Sequence, residues 1–220
     1  MGDIVLVHGA WAGSWCWELV APKLRERGHR VETVELHRGT LAADTTAAQE
    51  VVDGTTEVVV CGHSYGGMVI TGLELPAGSH LVYLCAFMPE EGESATSLNE
   101  RHPADLGRLL ATDERGDLLL VGDEIDALVW ADAPAARASA ARASLRSQGS
   151  VTLMESPPRT AWRDVPSTFV VALRDRVVHP DLQREMARRA NHVVEWDTSH
   201  MPMLSRPDLV IDLLNGLAVK

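Results

Sequence analysis

Cysteine is scarce in this chain: three residues in 220, an odd number, which argues against a disulfide framework. Cys16, Cys61 and Cys85 each sit in an apolar stretch, so buried free thiols in a reducing compartment are expected. Positive charge is also short. Lysine and arginine total 20 against 31 aspartates and glutamates, and a net charge of −11 repels phosphate backbones and anionic lipid surfaces. Nucleic acid is therefore not expected as a partner. No long hydrophobic run is present: the longest, Leu81 to Met88, falls far short of the ~20 residues a membrane span needs. Export and lipidation are not expected either, because Met1-Gly2-Asp3 runs straight into Ile4-Val5-Leu6-Val7 with no charged leader, and Leu6 stands where a myristoylation signal wants Ser or Thr. The expectation is a cytoplasmic protein. Linkers rich in Gly, Ser or Pro, internal repeats and low-complexity tracts are also missing, so residues 1–220 are expected to form one domain.

What is present has the balance of a folded globular chain, 45% hydrophobic and 23% charged. Six β-branched, apolar runs read as strands: Ile4 to Val7, Val31 to Leu36, Val58 to Cys61, Leu81 to Ala86, Thr168 to Leu173 and Val193 to Trp196. Helical patterns cover Trp15 to Arg27 (stopped by Gly28), Gly67 to Leu75 (stopped by Pro76), Leu182 to Ala190, and Leu209 to Leu217 (entered through Pro207 and Asp208). Strands apolar along their length and separated by helices predict an α/β fold with a mostly parallel sheet covered on both faces. Between Pro89 and Pro166 the strand rhythm is lost, and Ala135 to Arg146 looks helical; residues 89–166 are read as an inserted helical cap.

Gly62-His63-Ser64-Tyr65-Gly66 follows an apolar strand and precedes a helical pattern, the context a G-x-S-x-G nucleophile elbow requires. Gly62, Gly66 and Gly67 let strand and helix approach closely, and the helix start favours developing negative charge. The Tyr65 N–H is expected to be one oxyanion donor, and the Ala10 N–H, in His8-Gly9-Ala10-Trp11 after the first strand, the second. A serine hydroxyl needs a base. His200, in the loop after the last strand, fits that role; His8 reads as structural, and the other histidines show no metal-ligand spacing. The acid that orients His200 is expected at Asp175, two residues past the strand Thr168 to Leu173, ahead of Asp181 and Asp197. The order Ser64, Asp175, His200 is that of α/β-hydrolases.

With these residues placed, the sequence resembles the small α/β-hydrolases that include plant methylesterases, salicylate-binding esterases and hydroxynitrile lyases. The resemblance rests on Val7-His8-Gly9-Ala10-Trp11 with Trp15-Cys16-Trp17, on Gly62-His63-Ser64-Tyr65-Gly66-Gly67-Met68, on Leu81-Val82-Tyr83-Leu84 and on Ser199-His200-Met201-Pro202-Met203-Leu204-Ser205. It implies Ser64, His200 and Asp175 as catalytic triad and Ala10 and Tyr65 as oxyanion hole. Gly9 stands where the lyases of that group have threonine, and Met201 where they have lysine, which favours the esterase branch.

The resulting expectation is a serine esterase acting on a small hydrophobic ester, without cofactor or metal, as a monomer or homodimer. Trp11, Tyr65, Leu98, Trp130, Trp162 and Met201 are candidates to line its pocket; core packing is the competing reading for each. Two alternatives use the same fold: a lyase or cyclase with His200 as base, and a ligand receptor with little turnover.

Overall fold

Every residue of the strand leading to Ser64 is buried, although alternate side chains of a strand point to opposite faces; the sheet must therefore be covered on both sides. The computed structural model describes residues 1–219. Its elements in chain order begin β1 (Asp3–Val7), α1 (Ala21–Glu26), β2 (Arg30–Val34), α2 (Leu41–Val52), β3 (Val58–His63), α3 (Gly66–Thr71) and β4 (His80–Leu84). They continue with α4 (Ala95–Asn99), β5 (Leu110–Thr112), β6 (Leu118–Leu120), α5 (Ile125–Val129), α6 (Ala135–Ala143) and α7 (Ser150–Met154). The last are β7 (Ser167–Ala172), α8 (Pro180–Ala187), β8 (His192–Trp196), α9 (Pro202–Ser205) and α10 (Pro207–Ala218).

Six strands form one sheet in the order β2-β1-β3-β4-β7-β8, with every pairing parallel. All six expected strands are found, most displaced by a residue or two at their ends. Their burial grades with position: β3, β4 and β7 in the centre are wholly buried, whereas the edge strands are partly exposed, β2 at Arg30 and Glu32 and β8 at His192, Val193 and Glu195. Helix α1 packs on α10 and α2 on α3, and α8 lies against β7.

Two helices differ from the sequence reading. Trp15 to Arg27 is not one helix: a 3-10 turn over Ser14–Trp17 precedes α1, whose second residue, Pro22, has no N–H to donate and so belongs to a first turn. Helix α2 is a twelve-residue helix that the patterning did not single out; Thr40 caps it by accepting from the Ala43 N–H at 3.1 Å. The segment 89–166 is also not wholly helical. Strands β5 and β6 form an antiparallel hairpin around Asp113-Glu114-Arg115-Gly116, where Gly116 takes a positive φ of 86° and Asp113 Oδ1 accepts from the Arg115 and Asp117 N–H groups. That Asp…Gly turn between two short leucine-rich runs was a hairpin signal in the sequence.

Candidate active site

Parallel strands deliver their C-terminal ends to one lip of the sheet, and four loops there carry the residues singled out by the sequence. Ser64 follows β3 in the left-handed region, at φ 54°, a strained position for a residue with a side chain. The surrounding backbone enforces it. A Cβ on Gly62 would lie 2.6 Å from the Gly66 carbonyl oxygen, one on Gly66 would lie 2.7 Å from the carbonyl oxygens of Val7 and His8, and one on Gly67 would lie 2.0 Å from that of Phe87. The elbow glycines are thus required by contact, as the motif suggested. The Ser64 carbonyl accepts from Gly67 N–H at 3.0 Å and Phe87 N–H at 3.2 Å, so the turn is tied to α3 and to the loop after β4.

Asp175 and His200 meet. His200 Nδ1 lies 2.7 Å from Asp175 Oδ2, and both residues are buried, at 3% exposure each. The carboxylate is fully engaged: Oδ1 accepts from the N–H groups of Val177 (2.8 Å) and Val178 (3.0 Å), and Oδ2 accepts from Gln183 Nε2 (2.7 Å) as well as from the imidazole. An acceptor-only partner at Nδ1 leaves Nε2 as the basic nitrogen. The rivals for the acid are elsewhere: Asp181 starts α8, and Asp197 is exposed and paired with Arg174 at 2.8 Å. Ser64 and His200 line one cavity with Ala10, although no hydrogen bond joins Ser64 Oγ to His200 in this structure. Ala10 and Tyr65 also share a cavity wall with Ser64, and among the described residues neither backbone N–H has a protein acceptor.

Other groups hold these in place, and two of them, Gln183 and Asp132, were not found from the sequence. Gln183, on the buried face of α8, also accepts from the Ala172 N–H at 2.9 Å and donates to the Val178 carbonyl at 2.7 Å, locking the Asp175 loop to β7. A glutamine beside Leu182 and Met186 on a buried helical face was the available signal. His63 is fully buried and donates from Nε2 to the His200 carbonyl at 2.9 Å, its ring 4.7 Å from that of His200. Burial, and then the neighbouring His200, push its pKa well below the ordinary histidine value, so it stays neutral. His8 is structural, as expected: its Nδ1 donates to the Gly9 carbonyl, its Nε2 accepts from the Leu36 N–H, and burial lowers its pKa to about 4. Asp132, from the 89–166 segment, accepts from the Ser199 N–H at 2.9 Å and from the Ser199 hydroxyl, fixing the loop that presents His200.

The cavity has two lobes. One, about 20 Å³, is lined by His200, Met201, Trp11, Trp15, Trp130 and Leu120, among others; the second, about 50 Å³, includes Tyr65, Phe87, Asn99 and Val178. Trp11, Tyr65, Trp130 and Met201 therefore reach the cavity. Leu98 and Trp162 do not: Leu98 is completely buried in the hydrophobic core, and Trp162 donates from Nε1 to the Pro89 carbonyl with the Arg163 guanidinium stacked 4.5 Å over its ring. His102, His179 and Asp181 bring potential metal-ligand atoms within 4.8 Å of one another, a grouping that chain spacing does not reveal. His179 Nδ1 is already occupied by the Asp181 N–H, and none of the three lines the Ser64 cavity. No helix among the described residues is long and apolar enough to cross a membrane.

Residues 4–213 match the model of the alpha/beta hydrolase family. The chain is 28% identical to methylesterase 2 of Arabidopsis thaliana, over 97% of this chain and 95% of that protein. It is 41% identical to a carbendazim-hydrolyzing esterase of Nocardioides sp. (strain SG-4G), over 44% of this chain and 47% of that one, so this match spans about half the relative's length. Among solved structures, polyneuridine aldehyde esterase superposes with a TM-score of 0.83 at 22% identity, covering 99% of both chains. The chain belongs to the alpha/beta hydrolase family.

Proposed function

We propose that the protein is a serine hydrolase that cleaves a small hydrophobic ester through an acyl-enzyme. The observation that carries this reading is the meeting of His200 with a fully hydrogen-bonded Asp175 beside a strained Ser64 in one apolar cavity. His200 Nε2 takes the Ser64 proton as Oγ attacks the ester carbonyl, and the Ala10 and Tyr65 N–H groups receive the oxyanion. Asp175 holds the imidazole in the tautomer that leaves Nε2 free and stabilises the imidazolium formed. The imidazolium then protonates the departing alkoxide, and the neutral ring activates water to release the acid.

Residues 89–166 act in this reading as the cap, supplying Trp130, Leu106 and Leu120 to the cavity wall. The apolar lining and small lobes favour compact hydrophobic esters. Esterase chemistry is also the activity named for the carbendazim esterase and the methylesterase among the relatives. A lyase route is disfavoured because the chain has Gly9 and Met201 where the lyases it resembles carry threonine and lysine, and so lacks that hydroxyl and that cation.

The test is steady-state hydrolysis of p-nitrophenyl butyrate by wild type and Ser64→Ala. A loss of roughly 10⁴-fold in kcat is expected, with a butyryl adduct on wild type seen by mass spectrometry. Equal turnover by the two proteins would end the reading.

A further inference from the structure

The lobe on the Tyr65 side of Ser64 continues outward into a cleft of about 430 Å³ between α4 and α7, with Trp11, Thr96, Asn99, Leu106, Leu153 and Val177 common to both. Apart from Ser64, its polar side chains are nearly all spoken for. Trp11 Nε1 donates to the Leu118 carbonyl at 3.0 Å, the Tyr65 hydroxyl to Asp44 Oδ2 at 2.9 Å, and Thr96 Oγ1 to the Leu153 carbonyl at 3.0 Å. Asn99 is the exception. Its Oδ1 is buried without a partner, and among the described residues nothing hydrogen-bonds to its carboxamide.

This orphan sits on a fixed mount. Asn99 ends α4, a helix closed at its start by a reciprocal pair, Ser97 N–H to Ser94 Oγ (3.1 Å) and Ser94 N–H to Ser97 Oγ (2.9 Å), and anchored by the fully buried Leu98. A buried acceptor left unpaired costs free energy, and such a group in a native protein calls for an explanation; of the unpaired buried side-chain atoms among the described residues, the Asn99 oxygen is the one that lines this lobe. No charged side chain lines the inner lobe, so a charged ligand group would be desolvated there without a counter-ion. A carboxamide offers both an acceptor and donors. His200, which must protonate the leaving alkoxide, lines the other lobe and not this one, so the alcohol belongs there and the acyl arm here.

We propose that Asn99 is a specificity-determining residue that recognises a neutral donor-and-acceptor group, an amide, carbamate or hydroxyl, on the acyl arm of the ester. This rests on the serine-hydrolase reading above for the direction of the substrate. The carboxamide supplies the partner of a group that the otherwise apolar lobe would reject.

The experiment compares p-nitrophenyl N-acetylglycinate with p-nitrophenyl valerate, which have acyl chains of equal length with and without an amide. The quantity read is the ratio of their kcat/KM values, since intrinsic reactivity cancels between proteins. In Asn99→Leu the ratio is expected to fall about tenfold from wild type, the effect of one hydrogen bond inside an apolar wall, while Tm is unchanged or raised because a buried orphan has been removed. A ratio within twofold of wild type overturns the proposal, whatever the Tm; Asn99→Ala provides the same reading if the leucine variant does not fold. Should wild type hydrolyse neither ester, the hydrolase reading falls and calorimetry decides the Asn99 role. The Kd ratio of the two esters, measured on Ser64→Ala and on Ser64→Ala with Asn99→Ala, then moves tenfold if Asn99 recognises the amide and stays constant if it does not.

Discussion

At the lip of the sheet backbone approaches backbone so closely that side chains are excluded, whereas the segment from 89 to 166 joins the rest of the molecule through side chains, by apolar packing of residues such as Leu98, Leu128 and Trp130 and by ion pairs and single hydrogen bonds. The two regions face each other across one cavity. Gly62, Gly66 and Gly67 set the position of Ser64 through carbonyl oxygens that have no room to move. On the other side, Arg146 reaches Glu35 at 2.6 Å, Arg176 reaches Asp105 at 2.6 Å, and Arg101 bridges to Glu93 and, at 2.8 Å, to Glu185. Steric placement is indifferent to salt and unforgiving of substitution; charge placement is the reverse. A site that must hold reacting atoms still while admitting a substrate has reason to use the first on the floor and the second on the roof.

The comparison breaks most sharply at the floor. Asp175→Asn replaces an acceptor with an amide whose NH₂ can face His200 Nδ1, favouring the wrong imidazole tautomer. Aryl-ester kcat/KM is expected to fall by roughly 10³ to 10⁴ with the fold intact by circular dichroism. Next comes Gly67→Ala, whose added methyl would stand 2.0 Å from the Phe87 carbonyl oxygen. Urea unfolding should show a loss of about 3 kcal/mol or more, or no folded protein at all. Gly107, in the cap segment, has nothing within 4 Å of where a Cβ would stand, so the same substitution there should leave the urea midpoint nearly unchanged.

A smaller effect follows from the histidines under the lip. His8 is held neutral by burial, with a pKa lowered from 6.5 to about 4. The unfolded chain binds that proton near 6.5 and the folded protein only near 4, so between these values the unfolded state holds more protons. Stability is complete above about pH 6.5 and falls as pH drops toward 4, by at most roughly 3 kcal/mol from this residue, with His63 acting in the same direction. Urea midpoints from pH 7 to 4 measure this. In His8→Asn the slope over that window should shrink by about one proton; an unchanged slope would mean that His8 does not titrate in this way.

The same contrast decides how much was legible beforehand. The central strands, the elbow, the His200 loop and the Asp175 loop all lie where local patterns are strong: unbroken apolar runs, a glycine-spaced serine and single polar residues at strand ends. Sheet order was not available, because register comes from packing between segments far apart in the chain. Within 89–166 the signals were weak or misread. The hairpin β5–β6 has only three residues per strand, and hydrophobicity marks Leu98 as a pocket candidate, whereas the helix buries that leucine in the core and it is Asn99 that lines the cavity. Gln183 escaped for a related reason. A polar residue is conspicuous on a buried face only once the face is known.

The smallest expected effect tests the roof. Arg101 is 40% exposed at its side chain and contributes to the pairs that link Glu93, before α4, with Glu185 on α8. Solvent screens such a pair, so Arg101→Gln is expected to cost less than about 1 kcal/mol in global stability, and that difference should fade in 1 M salt. Local opening responds differently, because the segment it ties down includes a hairpin of two three-residue strands, none of whose residues is fully buried. Limited proteolysis at low salt should therefore nick Arg101→Gln within 89–166 several times faster than wild type while urea midpoints stay close. If nicking and the midpoint change together, the segment unfolds with the sheet, and roof and floor are one cooperative unit rather than two regions held by different forces.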